Sequence, residues 1–269
     1  MLNNLRQLPR YRGLIQSLVS RELKARYRGS VLGFFWSFAN PLLLLLVYTF
    51  VFAYVMPPPA GIKNYALFFF TGILPWTWFS ASLLESSSVL ITGGNLIKKV
   101  MFPAEILPIV TVLSNLVHFL LGLPILIAFL IYFDAPIEPA ELPWFPVAIL
   151  VQLLLTLGLA LILSALTVHF RDLKDILGNV MTLWFFATPI IYYWKNAPPR
   201  IYPFLNLNPF THLAITYQEI LFFPADPGSA GGPPGHWKWL LALGVASIVL
   251  FLFGYFLFDR LRDSFAEEV

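Results

Sequence analysis

Four histidines, two glutamates beside apolar runs and two glycine-rich stretches are the places where this 269-residue chain could do chemistry. A phosphate-binding loop needs G-x-x-x-x-G-K-[ST], because glycine amides cradle the phosphates and the lysine reaches them. "GGNLIKKV", starting at Gly93, supplies Lys98 and Lys99 but no glycine directly before either. "GSAGGPPGHW", starting at Gly228, has glycines and no lysine beside one. The chain is therefore not expected to bind ATP itself. His118, His169, His212 and His236 fall in different segments without metal-ligand spacing. With no cysteine there is no disulfide, thiol nucleophile or Cys-ligated zinc. Glu85 and Glu105 bracket the segment carrying Lys98 and Lys99. Carboxylates at a membrane edge can carry protons, but pairing with Lys98, Lys99 or a partner subunit is the simpler reading. No Ser/His/Asp motif stands out, so an enzyme is not expected.

The elements that must position these residues are membrane spans. Charged residues make up 12% of the chain, about half the ~25% of soluble domains, and the mean hydropathy is +0.76. A net charge of +3, with cations set beside apolar runs, argues against nucleic acid. A helix needs ~20 apolar residues to cross a ~30 Å hydrocarbon core. Six segments qualify: 31–56, 65–84, 106–133, 142–168, 176–194 and 239–258. Five contain no charged residue, and the third contains only His118. None alternates as a β-barrel strand would. The expected fold is an all-α membrane protein with six transmembrane helices, a cytoplasmic segment 1–30, a transmembrane domain 31–258 and a tail 259–269.

Charge sets the orientation. Segments 1–30, 85–105, 169–175 and 259–269 hold 13 of the 17 basic residues; Lys63, Lys195, Arg200 and Lys238 lie on the other side. By the positive-inside rule the first set is cytoplasmic, with both termini inside. The longest outer piece, 195–238, is too short for a transferase domain. Its part 198–223 suits short re-entrant helices dipping into the outer leaflet against protein, and 224–237 is a Pro/Gly linker.

Residues 14–28 carry a second pattern. Leu14, Ile15, Leu18, Val19, Leu23 and Tyr27 recur at helical spacing, with Ser17, Arg21, Lys24 and Arg28 opposite. This predicts an amphipathic helix on the inner membrane surface. Glu22 and Arg26 fall inside its apolar face, four residues apart, where they can pair. Lipid would not favour them there, but another protein surface would.

"RELKARYRGSVLGFFWSFANPLLLLLVYTFVF" (21–52), "TGGNLIKKVMFPAEILP" (92–108), "HFRDLKDIL" (169–177) and "TPIIY" (188–192) together resemble the permease subunit of bacterial ABC exporters for cell-surface polysaccharides. That family handles O-antigen and teichoic-acid chains. The resemblance runs from about Leu5 to Phe258. It implies that 11–29 is an interface helix, that Asn95–Pro103 is the coupling helix seated in a cleft of the ATPase, and that 195–238 bears outer gate helices. It implies a homodimer of permeases with two ATP-binding cassette subunits, ATP and magnesium being bound by the latter. Glu22, Arg26, Asn95, Lys98, Lys99 and Glu105 are then the expected ATPase-coupling residues.

The first expected span carries Phe34, Phe35, Trp36, Phe38, Tyr48 and Tyr54, and the fifth carries Trp184, Phe185, Phe186, Tyr192, Tyr193 and Trp194. Interfacial belts account for rings at span ends and ordinary packing for many others. Sugar rings stack on aromatics, and Tyr and Trp add hydrogen bonds. Trp36, Tyr48, Trp184, Phe185 and Tyr192 are the expected substrate path for a lipid-linked polysaccharide crossing the inner membrane of a bacterium. Competing readings are an ABC exporter of drugs or small lipids, an ion-coupled secondary transporter and a passive scaffold. The secondary transporter would usually show internal repeats and buried ionisable residues, and the coupling-loop resemblance opposes the scaffold.

Overall fold

Nine helices and no strands form the described residues of the computed structural model, which are 8–26, 28–30, 33–55, 62, 64–94, 103–223 and 234–265. They are α1 Arg12–Arg26, α2 Trp36–Phe50, α3 Tyr65–Thr92, α4 Ile106–Tyr132, α5 Trp144–His169, α6 Leu173–Phe186, α7 Tyr202–Leu207, α8 Pro209–Leu221 and α9 Trp237–Leu261.

Length separates the long helices from the short. α3, α4, α5 and α9 have 28, 27, 26 and 25 residues, about 37–42 Å at 1.5 Å per residue. Each is long and apolar enough to cross a membrane. α2 has 15 residues and continues through a π-helical turn, Val51–Val55.

α3 is the axis of the fold. It packs against α2, α4, α5, α6 and α8, and most of its length is buried. Pro75 lies within it, and Gln152 of α5 donates to the Pro75 carbonyl at 2.8 Å. α9 leans on α5 through a glycine seam. A Cβ at Gly254 would sit 2.5 Å from the Gly158 carbonyl oxygen, and one at Gly158 would sit 2.9 Å from the Phe251 nitrogen. Small residues let apolar helices approach to backbone contact, where dispersion rather than hydrophobicity holds them.

The expected fifth span, 176–194, is broken. α6 stops at Phe186 after 14 residues, about 21 Å, two residues before the Thr188–Pro189 bond. A proline disfavours helix in the residue before it and cannot donate to the turn behind. Thr188, Pro189 and Ile190 are buried, so their backbone needs protein partners. Gln218 donates to the Pro189 carbonyl at 2.8 Å, and the Tyr65 hydroxyl donates to the Ile191 carbonyl. Side chains of α3 and α8 thus satisfy the break, and a turn over 187–193 followed by short 3-10 helices at Trp194–Asn196 and Pro199–Ile201 replaces the second half of the expected helix.

Candidate functional site

The first candidate site lies where α1 meets the paired ends of α3 and α4. α1 docks through Leu18, with Tyr11, Ile15 and Val19 beside it, onto Ile106 and Val110 of α4. This contact carries Arg26 up the side of α4. There its guanidinium donates to both Glu85 carboxylate oxygens, at 3.0 and 2.9 Å, and to Asn115 Oδ1 at 3.2 Å. The Asn115 amide closes the triangle by donating to Glu85 Oε2 at 2.7 Å. Glu85 lies seven residues before the end of α3 and Asn115 nine after the start of α4, so the triad sits about 10–14 Å along both helices.

One sequence expectation changes here. Among the described residues the ion pair of Arg26 is with Glu85, not Glu22, because the guanidinium fork aims across to α3 and α4 and engages two partners there. The expected partners Lys98 and Lys99 of Glu85 lie outside the described residues. Glu22 stays beside the triad. Its carboxyl is pushed above the usual carboxylate range, first by burial and then by the negative charge of Glu85, with Arg26 pulling the other way.

The loop between α3 and α4 has a closed base. A Cβ at Gly93 would meet Leu107 Cδ1 at 2.8 Å, so the entry and exit strands of the loop touch. On the exit side Glu105 is buried. It accepts a long hydrogen bond from the Tyr255 hydroxyl, 3.5 Å, and faces Arg262 at 4.0 Å. The end of α9 therefore braces the start of α4. Asn95, Lys98 and Lys99 lie outside the described residues, as do Tyr27 and the side chain of Phe34.

A largely apolar cavity of about 390 Å³ with a few polar groups opens beside the triad, between α2, α3 and α4. Arg26, Asn115, His118, Asn40 and Thr77 border it together with Trp36, Trp78 and Phe119. Trp36, expected on the substrate path, thus shares a cavity with Arg26, expected on the coupling side. Its indole N–H donates to Ser30 at 2.9 Å.

A second cluster surrounds the middle of α3. Trp76, Phe79, Trp184, Phe185 and Phe210 pack ring on ring, with Phe79–Phe210, Trp76–Phe210 and Phe79–Trp184 centroids at 4.8, 5.0 and 5.2 Å. The Trp184 N–H donates to Asn208 Oδ1 at 2.7 Å, and Asn208 also donates to Thr188 Oγ1 at 2.9 Å and caps α8. Trp184 and Phe185 are half-buried and face α3 and α8, while the open side of α6 carries Leu183 and Phe186. Tyr48 of α2 packs on Phe69 at 4.3 Å. The half-buried Tyr192 reaches the Ala187 carbonyl at 3.4 Å. The structure joins Trp184 and Phe185 in one cluster and leaves Trp36, Tyr48 and Tyr192 outside it. Asn115 and Asn208 were missed by sequence reasoning. The signal for Asn115 was an amide inside an otherwise apolar span, which must find partners when buried; for Asn208 it was an Asn directly before a proline, an N-cap pattern.

A family model described as "ABC-2 type transporter" matches residues 13–222. The chain belongs to the ABC-2 type transporter family. It is 42% identical over 272 residues, covering all of both chains, to a Myxococcus xanthus protein named O-antigen export system permease protein RfbA. A Klebsiella pneumoniae protein of the same name is 31% identical, with 94% of each chain covered. The capsule polysaccharide export inner-membrane protein CtrC of Neisseria meningitidis serogroup B is 24% identical over 90% of this chain and 89% of that protein. The matched segment of this ABC-2 transporter chain contains the Arg26–Glu85–Asn115 triad, the loop base and the aromatic cluster. All-helical architecture, four long apolar helices and family membership make it a multi-pass membrane protein.

Proposed function

We propose that the chain is the transmembrane permease subunit of an ATP-driven exporter that moves lipid-linked polysaccharide across the bacterial inner membrane. The observation that carries this is the end-to-end 42% identity to an O-antigen export permease. Teichoic-acid-type chains are the neighbouring cargo class. ATP and magnesium are bound by two separate ATPase subunits, and two copies of this chain form the route between them.

In this reading six segments span, both termini are cytoplasmic, and α6 with the buried turn 187–191 forms the fifth crossing. α7 and α8 are re-entrant helices of the outer half. The loop 95–102 meets the ATPase. Its base, locked by Gly93 against Leu107 and by Glu105 against α9, transmits the push into α3 and α4. The Arg26 triad makes α1 move with them. α3 then delivers the motion to the aromatic cluster, where Trp184 and Phe185 hold α6 to α3 and α8. The route runs between the open faces of α2 and α6 in the two protomers, with Trp36, Tyr48 and Tyr192 along it.

Deleting the gene in its host tests the reading. Surface polysaccharide should disappear while lipid-linked polysaccharide accumulates on the cytoplasmic side, and the plasmid-borne gene should restore export. Unchanged surface polysaccharide in the deletion strain would refute it.

A further inference from the structure

Beside the α1–α4 docking contact the two helices part. Ile15, Val19 and Leu23 form an i, i+4 row that borders that contact and continues past it. Facing them are Leu113, Leu116, Val117 and Leu120 of α4, and the two rows enclose an open groove of about 700 Å³. A parallel i, i+4 row on α1, Gln16, Ser20 and Lys24, forms the polar rim. The apolar walls run seven residues along α4, about 10 Å.

In a bilayer an open apolar groove of this size does not stand empty, and a flexible hydrocarbon chain matches the chemistry of its walls. The volume lies within the ~300–1,000 Å³ of ordinary ligand sites. The rim sets the headgroup. α1 carries Arg12, Arg21, Lys24 and Arg26 against one acid, Glu22, and Arg26 is committed to Glu85. Lys24 is exposed and forms no ion pair among the described residues. Ser20 and Gln16, one and two turns below it on the same row, add a hydroxyl and an amide that can donate to phosphate or glycerol oxygens.

We propose that this groove binds one acyl chain of an anionic phospholipid from the leaflet in which α1 lies, with Lys24 holding the phosphate. The lipid wedges between α1 and α4 on the side away from the Arg26 triad. It completes the support of the interface helix without being cargo.

Photo-crosslinking tests this on the full-length permease reconstituted into mixed vesicles. The probes are phosphatidylglycerol and phosphatidylcholine carrying the same diazirine-bearing acyl chain. The expected result is labelling of 113–120 and of α1, with phosphatidylglycerol preferred about fivefold, the factor one lysine near an anionic surface supplies. Lys24→Ala should bring the preference close to one and leave phosphatidylcholine labelling unchanged. Val117→Trp should fill the groove and reduce labelling there by both lipids. Labelling of the open face of α9, at Val245, Val249 and Phe253, serves as the reference for unspecific lipid contact. Equal labelling by the two lipids in the wild type, or groove labelling no stronger than that of α9, would overturn the proposal. So would a disulfide between two chains at Leu120→Cys, which would place a second copy over the groove. Displacement of the phosphatidylglycerol probe by lipid-linked polysaccharide would overturn it in favour of the cargo.

Discussion

Removing Arg26 should loosen α1 from α4 by a predictable amount. The guanidinium makes three hydrogen bonds, two to Glu85 and one to Asn115. Buried bonds to a charged group are worth about 1.5–3 kcal/mol each, whereas fully exposed ion pairs are worth about 0–1 kcal/mol. The side chains of Arg26 and Glu85 are 31% and 40% exposed, which places the pair between these limits, near about 1.5 kcal/mol. That corresponds to roughly tenfold in the ratio of docked to undocked α1. The chain has no cysteine, so Leu18→Cys introduces a single thiol at the buried centre of the α1–α4 contact. Its modification rate by a water-soluble maleimide in detergent reports the undocked fraction. On this background Arg26→Ala should speed labelling about tenfold and Glu85→Gln by a similar factor, while the double variant should be no faster than either alone. Such a coupling energy is the signature of residues acting as one unit. Rates that multiply, to about a hundredfold in the double variant, would refute the triad as the tie between α1 and the two spans.

Four further outcomes are expected. A cysteine at Asn95 should resist membrane-impermeant thiol reagents added to intact cells and react in inverted vesicles, since 13 of 17 cations place this loop inside. Charge reversal at both Lys98 and Lys99 should leave the permease inserted but uncouple ATP hydrolysis from export, measured as vesicle ATPase activity without polysaccharide translocation. Burial pushes the Glu22 carboxyl up, so the folded state holds its proton more tightly than the unfolded chain; stability therefore declines as pH rises through and above the usual carboxylate range, and Glu22→Gln should flatten that slope in a thermal-unfolding series. Gly254→Leu should abolish the α5–α9 seam, because even a Cβ there would lie 2.5 Å from a backbone oxygen, and the loss should show as a missing monodisperse peak in size-exclusion chromatography.

The parts legible in the sequence were those set by hydrophobic transfer. Four of the expected spans correspond to α3, α4, α5 and α9, because an apolar run of that length has one low-energy way to satisfy its backbone in lipid. The amphipathic pattern of residues 14–28 marked α1 for the same reason. The break in the fifth expected span was masked because 176–194 carries no charge, and hydropathy does not register that Pro189 ends the helix there or that Gln218, Tyr65 and Asn208 supply the missing partners. The triad was hidden in a related way. Glu22 and Arg26 are neighbours at helical spacing, so local reasoning pairs them, whereas the deciding partners stand 59 and 89 residues away.

Both hidden features converge on α3. The third of α3 that ends at Thr92 carries Glu85, tied to α1 and α4, and its middle carries Trp76 and Phe79, which pack against α6 and α8. Between them α3 is continuous helix and largely buried, and packed interiors transmit displacement rather than absorb it. In the proposed reading, a shift of the loop base at Gly93 moves Glu85 with the end of α3, carries Arg26 along and presses the aromatic cluster against α6. α6 ends at Phe186, where the helix gives way to a turn held by side-chain hydrogen bonds. The proline that shortens α6 and the ion pair that ties α1 to α3 are then, on that reading, two ends of one lever, rigid where ATP-driven force would enter and hinged where the route would open.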